Sequence, residues 1–280
     1  MRTRRRRRWC GLTLLAVLAV LGALMLDSAV RLVTTEYELS AASFGEEWDG
    51  FRILQLSDLH GREFGEGNRR LLAAARAAEP DLIVLTGDFV EKPEDLPVLA
   101  RLLPELVRLA PCCFVSGNHE WGSQCVEETA ALLEKNGVRY LRNESEVLRR
   151  GTSELVLCGV EDPNSWAQMI RPDELTEKAA AEHPGMPLVL LGHRNYWTAE
   201  YPELPVDLIL CGHGHGGIIR LPFIGGLLGT DRELLPKCVS GCFRSGRYTM
   251  VVSRGLGTVR GIPRFLNNPE LVVVTLKNAA

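Results

Sequence analysis

An α/β fold is what this sequence predicts, and three observations predict it. Short runs rich in Leu, Ile and Val, four to six residues long, recur from residue 51 onwards. Segments with helical spacing separate the first of these runs, and the tail returns to strands alone. The composition is that of a globular protein: 46% of the 280 residues are hydrophobic and 24% charged, with 27 Gly and 15 Pro. Collagen-like, coiled-coil and broadly disordered chains are thereby excluded.

The first segment is a separate object. Arg2 and Arg4–Arg8 precede an apolar run from Trp9 to Leu26 that carries no charge. As a helix such a run reaches ~27 Å, enough for a thin bilayer. A basic flank and an apolar run also describe a cleaved secretory signal. The run is longer than a usual signal core, however, and Leu26-Asp27-Ser28-Ala29 is a poor cleavage site. Residues 1–30 therefore read as a basic N-terminus and an uncleaved membrane anchor, with a twin-arginine signal the weaker match. By the positive-inside rule the arginines are cytoplasmic, which makes a single-pass cell-membrane protein with an extracytoplasmic body. The cysteines pull the other way. Cys112, Cys158 and Cys211 sit in apolar strand-like runs, no C-x-x-C pair occurs, and only Cys238 and Cys242 are spaced to bridge a turn.

Charge follows the same division. The whole chain is at −3, but 26 basic against 34 acidic residues after position 30 leave the body at −8. A body that acidic has no general electrostatic attraction to nucleic acid or anionic lipid.

Residues 31–49 read as a connector, where alternation over Thr34–Leu39 marks an edge strand. The body, residues 50–280, reads as one domain. Phe51–Leu56 is its first strand, Asn68–Ala78 a helix and Leu82–Leu85 a strand. Leu96–Leu109 has helical spacing that Pro104 should kink or divide. Cys112–Val115 is a strand, and Val126–Asn136 a helix that Gly137 should cap. Leu155–Gly159, Leu188–Leu191 and Leu208–Cys211 follow as buried strands. Tyr248–Val252 and Leu271–Leu276 predict antiparallel strands near the C-terminus.

Five of the six histidines directly follow predicted strands. Ligands of open α/β sheets bind beyond the carboxyl ends of strands, where neighbouring loops converge. The ends here are Ser57-Asp58-Leu59-His60, Thr86-Gly87-Asp88, Ser116-Gly117-Asn118-His119-Glu120, Gly192-His193 and Gly212-His213-Gly214-His215. One His or Asp after a strand is usually a capping or surface residue. Five such ends together bury too many polar groups unless they pair or coordinate a metal.

This order and spacing resembles the calcineurin-like metallophosphoesterase superfamily over roughly residues 50–276. Leu221–Gly226 and Ser253–Gly257 look like signatures of its bacterial membrane-linked branch. The resemblance implies a sandwich of two mixed β-sheets flanked by helices, here with an N-terminal transmembrane helix. It also implies two divalent ions: Asp58, His60 and His215 would hold one, Asn118, His193 and His213 the other, and Asp88 would bridge them. A hydroxide shared by the ions would attack phosphorus, and His119 would stabilise charge or protonate the leaving oxygen. Ligation by N and O without thiolate suits Mn, Fe or Zn. Two departures stand out. Glu91 and Lys92 occupy positions where phosphoprotein-phosphatase relatives have Asp and Arg; Glu91 could orient His119 and Lys92 touch phosphate, or both could be solvated loop charges. Gly214 replaces a common Thr without loss of a ligand atom.

The expected protein is thus a membrane-anchored dinuclear-metal phosphoesterase acting on a phosphate ester or pyrophosphate. Its substrate is a small molecule or lipid-linked. A nuclease or nucleotide phosphodiesterase is the alternative within enzymes, and a non-catalytic metal-stabilised membrane protein the alternative outside them. The twelve residues Ile218–Gly229 carry one charge, Arg220, beside much apolar area. Either this loop folds back over the core as a hairpin, or it dips into the membrane interface or receives an acyl chain.

Overall fold

Strands apolar on both faces are stable only between two covering layers, and the computed structural model of the protein places them there. It describes residues 2–168, 170–230, 232–258 and 262–279. The side chains of residues 2–8, 167 and 168 lie outside that description, among them those of the basic flank.

Helix α1 (Arg2–Val30) leads into β1 (Val33–Ala41), β2 (Arg52–Leu56), α2 (Arg69–Ala77), β3 (Leu82–Thr86) and α3 (Leu96–Leu106). After these come β4 (Cys112–Val115), α4 (Asn118–Gly122), α5 (Val126–Lys135), β5 (Arg139–Tyr140), β6 (Glu144–Arg150) and β7 (Ser153–Gly159). The chain continues through α6 (Pro172–Glu182), β8 (Leu188–Leu191), α7 (Trp197–Glu200) and β9 (Leu208–Cys211). It ends with β10 (Arg220–Leu221), β11 (Gly225–Gly226), β12 (Gly241–Ser245), β13 (Tyr248–Val252) and β14 (Glu270–Asn278).

Two six-stranded sheets result, ordered β1-β14-β2-β3-β4-β5 and β12-β13-β9-β8-β7-β6. In the first, β2 to β5 are parallel neighbours, while β14 runs antiparallel to β2 and parallel to β1. In the second, β13, β9, β8 and β7 are parallel, with β12 and β6 antiparallel at the edges. The C-terminal strands are therefore mixed rather than simply antiparallel. Their parallel neighbours are β1 and β9, which are distant in sequence and invisible to local patterning.

Three apolar layers hold the sandwich. Trp48, Val84, Leu157, Leu210 and Val274 fill the space between the sheets. Leu71, Leu99 and Leu133, from α2, α3 and α5, cover the outer face of the first sheet. Leu175 and Trp197, from α6 and α7, cover the second. Each such side chain contributes about 1.5–3 kcal/mol.

Local rules explain most element ends. Gly137, at φ +70°, closes α5: its N–H donates to the Glu134 carbonyl, and the Val138 N–H reaches Leu133. Helix α3 is not divided at Pro104. The proline removes the N–H that would reach the Ala100 carbonyl, and the helix runs only two residues beyond it, to Leu106 rather than Leu109. The connector expected over residues 31–49 carries β1 at the sheet edge, as its alternation implied. Strand β6 and helix α6 have no counterpart in the sequence reading. Glu144–Arg150 is a polar edge strand with weak alternation, and α6 has only a modest apolar face.

Helix α1 contains the apolar stretch Trp9–Val30, whose length and composition make it a candidate membrane span; none of its most apolar window is buried by the body. Among the described residues all eight cysteines are free, so Cys238 and Cys242 form no bridge.

Candidate metal centre

The carboxyl ends of β2, β3 and β4 in one sheet face those of β8 and β9 in the other. Gln55, buried on β2, donates across the gap to the Cys211 carbonyl at 2.8 Å and to Thr86 Oγ1 at 3.0 Å. Loops leaving these ends must turn at once, and they do so at a conformational cost. Asp58, His60, Asp88, His213 and His215 all have positive φ, between 44° and 65°. L-residues enter that region rarely and at a cost of order 1 kcal/mol or more each, which the surrounding structure must offset. Glycines make room. A Cβ on Gly117 would collide with Asp88 Oδ1, and one on Gly255, itself at φ +70°, would lie 2.6 Å from Asp58 Cβ.

The side chains converge in three overlapping groups, each with ligand-type atoms within 4.8 Å of one another: Asp58, His60 and His215; His60, Asp88 and His119; Asp88, His193 and His213. His60 Nε2 and His215 Nε2 are 3.1 Å apart, and His215 Nε2 is 3.3 Å from Asp58 Oδ1. Asp88 Oδ2 stands 3.1 Å from His193 Nε2 and 3.8 Å from His60 Nε2, between the outer groups. Asn118 lies at the start of α4, and its buried Oδ1 has no hydrogen-bond partner. That orphaned acceptor, in the cleft that Asp88 also lines, fits a cation. His193 Nδ1 donates to the Thr86 carbonyl at 2.8 Å, which leaves Nε2 facing Asp88. His119 differs from the other histidines. Its side chain is 39% exposed, against 5% for His60 and 0% for His193, and its Nε2 is 3.9 Å from Asp88 Oδ2.

Burial sets the protonation of the site. It pushes His60 down to about 4 and holds His213 and His215 well below the usual imidazole range. They are neutral at pH 7, the form that ligates metal. Burial lifts the Asp58 carboxyl to about 6. For Asp88 burial works in the same upward direction, but the facing His193 imidazole overrides it and holds the carboxyl low. His193 is raised to about 10, because Asp88 outweighs its burial.

His60, Asp88, Asn118, His119, His213 and His215 line a cleft of about 370 Å³ together with Glu91 and Arg194. Glu91 Oε2 lies 3.7 Å from His60 Nδ1, while Lys92 is exposed and is not among the lining residues. Three supporting residues were not singled out in the sequence. Glu120 accepts four backbone N–H groups, from Asp88, Phe89, Val90 and Gly117, at 2.6–3.0 Å. Arg194 pairs with buried Asp162 through Nε at 2.6 Å and Nη2 at 3.2 Å, and its Nη1 is 3.1 Å from His213 Nε2. Arg264, 2% exposed, donates to the carbonyls of Gly257, Arg254 and Gly255 behind His215. Glu120 closes the motif Ser116–Glu120, where it had no assigned role, and Arg194 adjoins Gly192-His193, so position in or beside a motif was the available signal. For Arg264 there was none.

Residues 51–217 match the family described as calcineurin-like phosphoesterase. The chain is 30% identical over 254 residues to the uncharacterized metallophosphoesterase YkuE of Bacillus subtilis, covering 88% of this chain and 85% of the relative. It is 28% identical over 241 residues to the phosphodiesterase YaeI of Escherichia coli, covering 84% and 85%. Among solved structures, the sulfate thiohydrolase SoxB of Thermus thermophilus aligns over 82% of this chain and 57% of its own. Its TM-score is 0.50 at 16% identity, a likeness of fold alone.

Proposed function

The chain belongs to the calcineurin-like phosphoesterase family and is a phosphoesterase hydrolase, and from that premise we propose a membrane-anchored enzyme that cleaves a phosphate ester at a two-cation centre. The carrying observation is the position of Asp88, whose Oδ2 lies within 4 Å of imidazole nitrogens from both outer groups. Asp58, His60 and His215 would hold one cation, Asn118, His193 and His213 the other, and Asp88 both. The oxygen and nitrogen donors suit Mn, Fe or Zn. When bound, such a pair supplies Lewis acidity and lowers the pKa of water.

The chain's own residues do the rest. Arg194, held rigid by Asp162, offers its guanidinium to phosphoryl oxygens entering the cleft. His119, at the exposed mouth, places an imidazole where it can give a proton to the leaving oxygen. The burial of Asp58, His60, His193 and His215 keeps bulk water from the donor atoms.

Anchoring rests on the apolar stretch Trp9–Val30 and the arginines before it. The positive-inside rule puts the body outside the cytoplasm, and protease added to wall-stripped cells should digest it. Digestion only after lysis would reverse the orientation. An acidic body beside a membrane favours small or lipid-linked esters over nucleic acid.

Turnover of a chromogenic phosphodiester and of a phosphomonoester, each with and without added Mn, tests the activity, and metal analysis of Asp88→Asn tests the centre. Metal-dependent turnover is expected, with fewer than two ions per chain and almost no activity in the variant. Two retained ions in an active Asp88→Asn protein would overturn the bridging assignment.

A further inference from the structure

The loop after the last histidine pair is a hairpin with an unusual tip. Strands β10 and β11 pair Arg220 with Gly226 and Leu221 with Gly225, leaving Pro222-Phe223-Ile224 as the turn. Phe223 is completely exposed and Ile224 59% exposed. Phe223 also has φ +67°, a conformation that favours Gly or Asn at turns. Beside the hairpin, Leu228 bridges to Leu234, and Leu234 and Leu235 are exposed as well. Four large apolar side chains thus stand in solvent on one short stretch of chain. The base of the same hairpin is anchored, with Ile218 buried against the core.

The surroundings identify what covers this patch. The hairpin base is tied to Phe265, whose carbonyl accepts the Arg220 N–H at 2.9 Å. Leu266 lines one hollow with Phe223 and Ile224. The next two residues hold the foot of α1. The Asn267 N–H reaches Ser28 Oγ at 3.3 Å, and Asn268 Nδ2 donates to the Asp27 carbonyl at 3.0 Å. Phe265 and Asn268 are three residues apart, at most about 11 Å even if extended. Hairpin and helix therefore emerge from the same small region of the body. Arginines ring that foot: Arg62 donates to the Ala29 carbonyl, Arg70 to Val30 at 2.6 Å, and Arg31 pairs with Asp27. Apolar side chains beside an apolar helix end, with guanidinium groups bonded to that end, match acyl chains below a layer of anionic headgroups.

We infer that the β10–β11 tip, with Leu234 and Leu235, is an interfacial wedge seated in the bilayer that α1 spans, and that the metal cleft receives phosphate esters carried at that surface. The inference rests on the reading of α1 as an anchor. The cleft is mechanically part of the same unit, because Asn267 Nδ2 donates to the carbonyls of His215 and Ile218 at 2.7 and 3.0 Å. A wedge in the headgroup layer thereby fixes the height of the cleft wall above the membrane.

The test uses the full chain in vesicles of phosphatidylcholine and phosphatidylglycerol, with the exposed thiols removed by Cys10→Ser and Cys242→Ser. A fluorophore is attached at Phe223→Cys, at Leu18→Cys within α1, or at Arg149→Cys on the edge strand β6. Doxyl-lipid should quench the fluorophore at positions 18 and 223, and aqueous iodide the one at 149. Lipid quenching at 18 with iodide quenching at 223 would overturn the wedge and leave the anchor intact. Iodide quenching at both would overturn the anchor, and the wedge with it. Because a label alters the tip, Phe223→Ser with Ile224→Ser provides a second measurement. Turnover of a soluble chromogenic diester should stay within two-fold, while hydrolysis of hexadecyl p-nitrophenyl phosphate in the same vesicles should fall at least five-fold. Equal rates of loss on both substrates would overturn the proposal.

Discussion

The carboxylate of Glu120 holds Asp88 by its main chain: Glu120 Oε2 accepts the Asp88 N–H at 3.0 Å, inside the protein. Its four amide donors lie in the two loops that present Asp88 and Asn118. Removing the carboxylate leaves buried N–H groups unsatisfied, each at about 1–3 kcal/mol. Glu120→Ala should therefore lower stability by about 3 kcal/mol or more, and Glu120→Gln by less, since it keeps one accepting oxygen. Urea unfolding of the metal-free proteins measures this. Wild-type stability in Glu120→Ala would show that the loops hold themselves.

His119 should separate binding from chemistry. Its exposure sets it apart from the enclosed imidazoles, so His119→Ala should keep both ions and lose roughly 10²–10⁴ in kcat, the range for an acid–base group. Metal content read by elemental analysis decides the matter. A loss of ions would make His119 a ligand.

Arg194 should matter twice. Arg194→Ala strands the Asp162 carboxylate, which is buried, at a cost of about 3–5 kcal/mol, and should cut kcat/KM for a phosphate ester about ten-fold or more. Adding Asp162→Ala should restore much of the melting temperature but none of the kcat/KM. Recovery of both would reduce Arg194 to a structural residue.

The cysteines offer a prediction free of the metals. Burial pushes the thiols of Cys112, Cys113 and Cys158 up to about 12. A raised thiol pKa keeps the unreactive protonated form up to that pH, so moving from pH 7 to 9 should not expose these residues to alkylation. Mass spectrometry after iodoacetamide treatment at pH 8.5 should find Cys242, which is exposed on the body, modified and these three intact until denaturant is added. Early modification of Cys158 would show that the second sheet opens readily.

Much of this molecule was legible in its sequence because its signals are local. The strands β2, β3, β4, β8 and β9 are continuous apolar runs, and their ends carry the polar groups that the fold gathers at one cleft. What escaped is non-local or weakly patterned. Strand β6 is a polar edge, and the parallel partners of β13 and β14 lie far away in sequence. Arg264 reaches the back of His215 from a segment with no motif of its own. Pro104 does not divide α3, which stops two residues beyond it and short of Leu109. The hairpin expected at Ile218–Gly229 folds back over the core at its base alone, and its tip is exposed.

Strand β14 lies between β1 and β2, so a strand synthesised more than 200 residues after the first two is inserted between them. While the ribosome is still at work, β1 has no neighbour and β2 has one open edge. The nascent protein must therefore wait, tethered beside the membrane if α1 has already entered it, with unpaired backbone exposed to any passing strand. A chain cut before Glu270 would keep every candidate metal ligand and leave its first sheet without a closing strand. In this architecture β14 governs when the first sheet is finished.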